Sequence, residues 1–130
     1  MTIRQFSEPD HEGVCALAAA VFEAMSIDAA VERGFGELGG TSWRDRKRRD
    51  ISNDLAGNPA GCFVAEVAGQ LVGFITTAVD REASVGRIPN LGVAEGMQGQ
   101  GIGKALVSRA LDYFGAEGAA VHTDRDHDDQ

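Results

Sequence analysis

The sequence predicts one α/β domain in which helices pack on a mixed sheet. Three observations carry this. Short β-type segments at 2–6, 62–67, 70–79, 85–93 and 119–123 interleave with stretches whose apolar residues recur at helical spacing. The pair Ala68-Gly69 separates two apolar runs as a tight hairpin turn does. A strand ending Leu91-Gly92-Val93 passes through a glycine-rich loop straight into a helix, with a further strand beyond it. A chain of 130 residues suits a single domain able to bury about two-thirds of its unfolded surface. Its 43% hydrophobic and 25% charged residues are those of a globular protein.

Thr2–Phe6 alternates as a first strand. Ser7, Pro9 and Asp10 mark a helix start, after which Val14, Leu17, Ala18, Val21 and Met25 share one face. Residues 26–41 hold Gly34, Gly36, Gly39 and Gly40 and read as a loop. Ser42 with Asp45 caps a second helix, on which Trp43, Ile51 and Leu55 form a narrow apolar stripe. Its basic residues Arg44, Arg46, Lys47, Arg48 and Arg49 fall mainly off that stripe, so a solvated face is expected of them. Cys62–Val67 and Gln70–Val79 form the hairpin, and a strand follows from Val85 to Val93. Pro89 lacks an N–H for the ladder, which predicts an edge, bulge or splayed position there. The helix 102–114 places Leu106, Ala110 and Phe114 together, Gly115 and Gly118 end it, and Ala119–Thr123 is the fifth strand.

The formal net charge of −8 argues against non-specific nucleic-acid binding, which needs a positive surface. No apolar run approaches the ~20 residues that span a bilayer, so no membrane association is expected. Cys15 and Cys62, isolated and without ligand spacing, read as buried thiols of a reducing, cytoplasmic compartment. The domain is expected over 1–124. The acidic run at 125–130, with the lone His127, reads as a solvated tail rather than a metal site.

The stretch Asn90-Leu-Gly-Val-Ala-Glu-Gly-Met-Gln-Gly-Gln-Gly-Ile-Gly-Lys104 is the most informative in the chain. Glycines let successive backbone N–H groups converge, and the following helix adds its partial positive charge, which together seat a phosphate. A nucleoside-triphosphate loop would need glycine at Gln98 and a hydroxyl at Ala105. A dinucleotide fingerprint would need its third glycine at Lys104. Neither fits. What does fit is Gln98-x-x-Gly101-x-Gly103 after a strand.

That pattern resembles the acetyl-CoA signature (Q/R)-x-x-G-x-(G/A) of the GNAT N-acetyltransferase superfamily. The order of elements resembles the family's over roughly residues 2 to 124. The resemblance implies a central, mostly antiparallel sheet flanked by helices, with a bulged fourth strand splayed from the fifth. It implies acetyl-CoA as co-substrate and acetyl transfer to a primary amine by direct attack on the thioester. Backbone N–H groups from Gln98 through Gly99, Gln100, Gly101, Ile102, Gly103 and Lys104 would hold the pyrophosphate. The backbone around Leu91, Gly92 and Val93 would pair with the pantetheine arm, and an N–H near Val93 would face the developing oxyanion.

The catalytic acid and base are unassigned. Where some members carry Glu or His on the fourth strand, this chain has Arg87 and Pro89. Glu66, Glu82 and His122 remain candidate bases. Glu95 occupies a position that is commonly acidic in the family and reads as structural. Tyr113 lies on the loop-bearing helix, where it packs. The family's further helix and β-hairpin are missing, so the domain is expected to stop after the fifth strand. An unprotected sheet edge would then invite a homodimer. A small-molecule or peptide amine is the expected acceptor. The acidic chain favours a cationic one and Arg87 one that also bears a carboxylate. The alternative reading is a catalytically inactive acyl-CoA-binding or regulatory module.

Overall fold

The computed structural model describes residues 1–23 and 43–121. In chain order these form β1 (Thr2–Gln5), a 3-10 turn (Glu8–Asp10), α1 (His11–Glu23), α2 (Trp43–Gly57), a second 3-10 turn (Pro59–Gly61), β2 (Phe63–Val67), β3 (Gln70–Asp80), β4 (Val85–Val93), α3 (Ile102–Ala116) and β5 (Ala120–Val121). The sheet runs β1-β2-β3-β4-β5, with antiparallel neighbours up to β4 and a parallel β4–β5 pair. The expected mostly antiparallel, helix-flanked sheet is the observed one. The expectations for Met25, the loop 26–41, the Ser42 cap, His122, Thr123 and the acidic tail lie outside the described residues.

Alternation along the strands separates two cores. Val64 and Phe74 face Val14, Cys15 and Ala18 of α1 and Ile51 and Leu55 of α2. Phe63, Ala65 and Ile75 face Ile102, Leu106, Ala110 and Phe114 of α3. Helices on both faces leave each sheet side dry, which explains why β2 and the middle of β3 are buried almost throughout. Both cysteines are buried and free. The hairpin turn has φ of 52° at Ala68 and 78° at Gly69, the paired positive values of a turn that matches strand twist.

The basic face of α2 is more engaged than expected from the sequence. Arg48 pairs with Glu12, Arg44 with Glu23 at 3.0 Å, and the Lys47 ammonium lies 4.5 Å from the centre of the Phe22 ring. These contacts join α2 to α1 at the solvent-facing rim, outside the buried core where Ile51 and Leu55 pack against α1.

Before α1, Ser7 and Asp10 lock the chain as their spacing suggests. The Ser7 N–H donates to the Asp10 carboxylate at 2.9 Å and the Asp10 N–H to the Ser7 carbonyl at 2.8 Å. Arg4 reaches the same carboxylate with both terminal nitrogens, at 2.7 and 2.8 Å, and also pairs with Glu66. Its guanidinium holds the Asp10 carboxyl down at about 2. The unfolded carboxyl titrates near the ordinary value of about 3.9. The contribution is therefore present above that value and is lost as pH falls through the folded one. It amounts to at most about 2 kcal/mol, because Arg4 is partly solvated and screened. We expect the urea unfolding free energy to fall between pH 4 and pH 2 by about that amount more in the parent than in Asp10→Asn. Equal acid sensitivity of the two proteins would remove the network from the account of stability.

Candidate functional site

β4 is irregular where Pro89 predicts it. Thr76 lies opposite Asn90 but Ala78 lies opposite Arg87, so Ile88 and Pro89 together face Thr77. One extra residue in β4 makes this a bulge, and it bends the strand away from its regular course. β5 runs beside Val85 and Gly86 only, among the described residues. The second half of β4 therefore has β3 on one side and no described strand on the other.

Which backbone groups face that open edge follows from the register. The Ala94 N–H donates to the Val72 carbonyl at 2.8 Å, and Val93 stands opposite Gly73. The alternation of an antiparallel ladder turns the N–H and C=O of Asn90 and Gly92 toward β3. Those of Leu91 and Val93 then point to the edge. Among the described residues, Leu91 is also one of the few large apolar side chains left exposed.

From Val93 the chain enters a loop with positive φ at Gly96, Gly99 and Gly101 (88°, 82° and 81°) and passes into α3 with Gly101 at the N-cap. The first helical bond there runs from the Ala105 N–H to the Gly101 carbonyl at 3.0 Å. The N–H groups of Ile102, Gly103 and Lys104 therefore have no partner within the helix. Gly101 has no side chain to cap them. Val93, Met97, Gln98, Gly99 and residues 101–104 line a cavity of about 260 Å³. A Cβ at Gly99 or Gly101 would meet nothing within 4 Å, so these glycines leave open space above the donors. The Gln98 side-chain amide donates to the edge-facing Val93 carbonyl at 3.4 Å, which ties the loop to the strand end. Gln100 and Lys104 are exposed beside it, and Gly92 is buried against the Phe74 ring. The ten residues expected to bind acetyl-CoA thus lie along one continuous path from the edge of β4 to the start of α3.

The candidate bases among the described residues, Glu66 and Glu82, do not join them. Glu66 lies on β2, two strands from β4, where Arg4 holds it. Glu82 is exposed in the turn before β4, at the opposite end of the strand from Val93. The Tyr113 hydroxyl donates to the Asn58 side chain at 3.1 Å and its ring packs edge-on against Phe63, as expected of a packing residue.

A polar pair that the sequence reading passed over lies on the other face of the sheet. The Asn90 amide donates to the Asp54 carboxylate of α2 at 2.6 Å and to the Thr76 hydroxyl at 3.0 Å. Asp54, Asn53, Gly57, Asn58, Thr77, Ala78, Val79, Arg81 and Pro89 line a second cavity of about 310 Å³ at the bulge. The available signal was a carboxylate beside the apolar stripe, between Ile51 and Leu55. Helical spacing does not say which strand it meets.

Residues 24–130 match the model of the acetyltransferase (GNAT) family. A mycothiol acetyltransferase of Streptomyces avermitilis is 35% identical over 106 residues, covering 79% of this chain and 34% of that protein. The chain thus spans about a third of that relative's length. The fold is shared with the PaiA N-acetyltransferase of Thermoplasma acidophilum, solved with coenzyme A. That likeness has a TM-score of 0.69 at 17% identity and covers 96% of this chain and 80% of the other. A GNAT family acetyltransferase of Brucella melitensis, solved with acetyl-CoA, superposes with a TM-score of 0.61 at 19% identity, covering 95% and 75%. The bulged fourth strand, the open edge and the glycine loop at a helix start agree with what these comparisons show: the chain belongs to the GNAT acetyltransferase family.

Proposed function

We propose that this chain binds acetyl-CoA and supports acetyl transfer to the primary amine of a small-molecule or peptide acceptor. One observation carries the reading. The outward N–H and C=O groups of Leu91 and Val93 lead directly to the N–H groups at the start of α3 that have no partner within the helix. An extended amide-bearing arm such as pantetheine pairs with an open strand edge as an added strand does. A pyrophosphate suits the convergent donors and the positive end of the α3 dipole. The residues we assign to this are Leu91, Gly92, Val93, Gln98, Gly99, Gln100, Gly101, Ile102, Gly103 and Lys104. Gly92 serves by its lack of a side chain, since a Cβ there would lie 2.6 Å from the Phe74 ring.

The chemistry such a seat permits is direct attack of a neutral amine on the thioester carbonyl. The outward N–H groups of Leu91 and Val93 are the backbone donors available to the oxyanion. An alkylamine has a pKa near 10 and must lose a proton before attack, so a proton acceptor is required near the acceptor amine. The name carried by the curated relatives places a mycothiol-linked amine among the acceptors to assay.

Calorimetric titration with acetyl-CoA, followed by thiol release in the presence of an amine panel, tests the reading. Micromolar binding with amine-dependent release of coenzyme A is expected. Silence toward both acetyl-CoA and coenzyme A would overturn it, whereas binding without release would leave an acyl-CoA-binding module. Among the described residues no helix is long and apolar enough to cross a membrane.

A further inference from the structure

The geometry points to Asp54 as the anchor for a cationic acceptor, held by Asn90 in the cavity behind the bulge; this rests on the acetyl-transfer reading above. Asp54 is half-buried, and among the described residues no cation lies within ion-pair distance of it. Its partner is the neutral Asn90 amide, which engages Oδ2 and leaves Oδ1 with no described donor. Among the described residues lining the cavity, the only other charged one, Arg81, is already paired with Glu117 at 2.7 Å. A carboxylate so placed offers a cation both charge and a free acceptor oxygen.

Its location matters as much as its charge. Asn90 directly precedes Leu91, whose N–H faces the edge assigned to the acyl arm. Asn90 itself reaches Asp54 on the α2 side of the sheet. The Asp54 carboxylate therefore lies on the α2 side of the sheet, across from the core that α3 covers, and the cavity it lines reaches the fourth strand's bend at Pro89. At the rim, Arg87 stands across from the cavity residue Ala78 and is exposed, which sets up the competing possibility of a carboxylate-bearing acceptor. The unpaired Asp54 charge lines the cavity itself and decides for the cation. Asn90 is a positioning residue, and Asp54 determines specificity by contacting the acceptor.

Diaminobutane, butylamine and γ-aminobutyrate, titrated calorimetrically into the chain with and without coenzyme A, test this. We expect diaminobutane to bind tightest, to weaken with added salt as an ion pair does, and to lose about tenfold in affinity in the isosteric Asp54→Asn. Coenzyme A affinity and the thermal midpoint should stay near the parent values. Unchanged diamine affinity in that variant, tighter binding of γ-aminobutyrate, or no amine binding by the parent would each overturn the assignment. Coenzyme A titration in the same samples reports separately on the acetyl-transfer reading. A misfolded variant would show in its thermal midpoint, and the salt dependence and amine ranking of the parent then decide alone.

Discussion

Replacing Gly101 by glutamate is expected to weaken acetyl-CoA binding by more than about a hundredfold, close to 3 kcal/mol, while the chain stays folded. Gly101 is the N-cap of α3 with φ of 81° and ψ of 7°. A side chain there costs roughly 1–2 kcal/mol in backbone strain. It meets no neighbour, because a Cβ at this position has nothing within 4 Å. The loss of stability is therefore small and local. The loss of binding is larger because a carboxylate at the N-cap competes for the free N–H groups of Ile102, Gly103 and Lys104 and repels the pyrophosphate. Gly101→Ala carries the same strain without the charge, and its affinity should fall by only about tenfold. Calorimetry on the three proteins, with thermal midpoints measured alongside, reads this directly. A glutamate variant that binds like the parent would mean that the phosphate sits elsewhere.

The largest stability effect is expected at Phe114. Its ring is 1% exposed and fills the space over Gly86, where a Cβ would lie 2.4 Å from the ring. Truncation to alanine leaves a cavity in a core with little room to collapse and should cost about 3–5 kcal/mol. That is a large share of the roughly 5–15 kcal/mol that holds a typical domain together. Gly86→Ala errs in the opposite direction, by overpacking, and should cost about 1–3 kcal/mol. Because the two changes meet at one surface, Gly86→Ala should be markedly less harmful when Phe114 is already leucine. Urea unfolding of the single and double variants gives the coupling. Additivity within about 0.5 kcal/mol would show that ring and glycine are independent. The backbone bond from the Ala119 N–H to the Phe114 carbonyl at 2.9 Å, which leads α3 into β5 beside Val85 and Gly86, is kept in every one of these variants.

Much of this architecture was legible in the residues. The stripes Trp43, Ile51, Leu55 and Leu106, Ala110, Phe114 are buried as their spacing requires, because helical periodicity is a local property. β4 spans Val85–Val93 as read, and Pro89 sits in a bulge, one of the positions open to a residue without an N–H for the ladder. Two expected first and last strand residues, Phe6 and Ala119, fall just outside β1 and β5, where strand ends give way to turns. α3 runs two residues past Phe114, because Gly118 rather than Gly115 takes the left-handed conformation that ends it.

The candidate bases were not legible in the same way. Glu66 has the right chemistry for a proton acceptor, but strand order sets it two strands away and against Arg4. Asp54 belongs to no motif and Asn90 only opens the glycine-rich stretch, and with 36 residues between them no local pattern pairs the two.

By itself, then, the sequence determined the elements, an irregularity at Pro89 and the glycine-rich loop before α3, since alternation, helical spacing, a missing N–H and clustered glycines all act within a few residues. Only the tertiary structure decided that Leu91 and Val93 turn their backbone outward and that a carboxylate from α2 stands behind Asn90. Both depend on the register between strands and on how α2 seats against the sheet, and those are set by packing between segments distant along the chain.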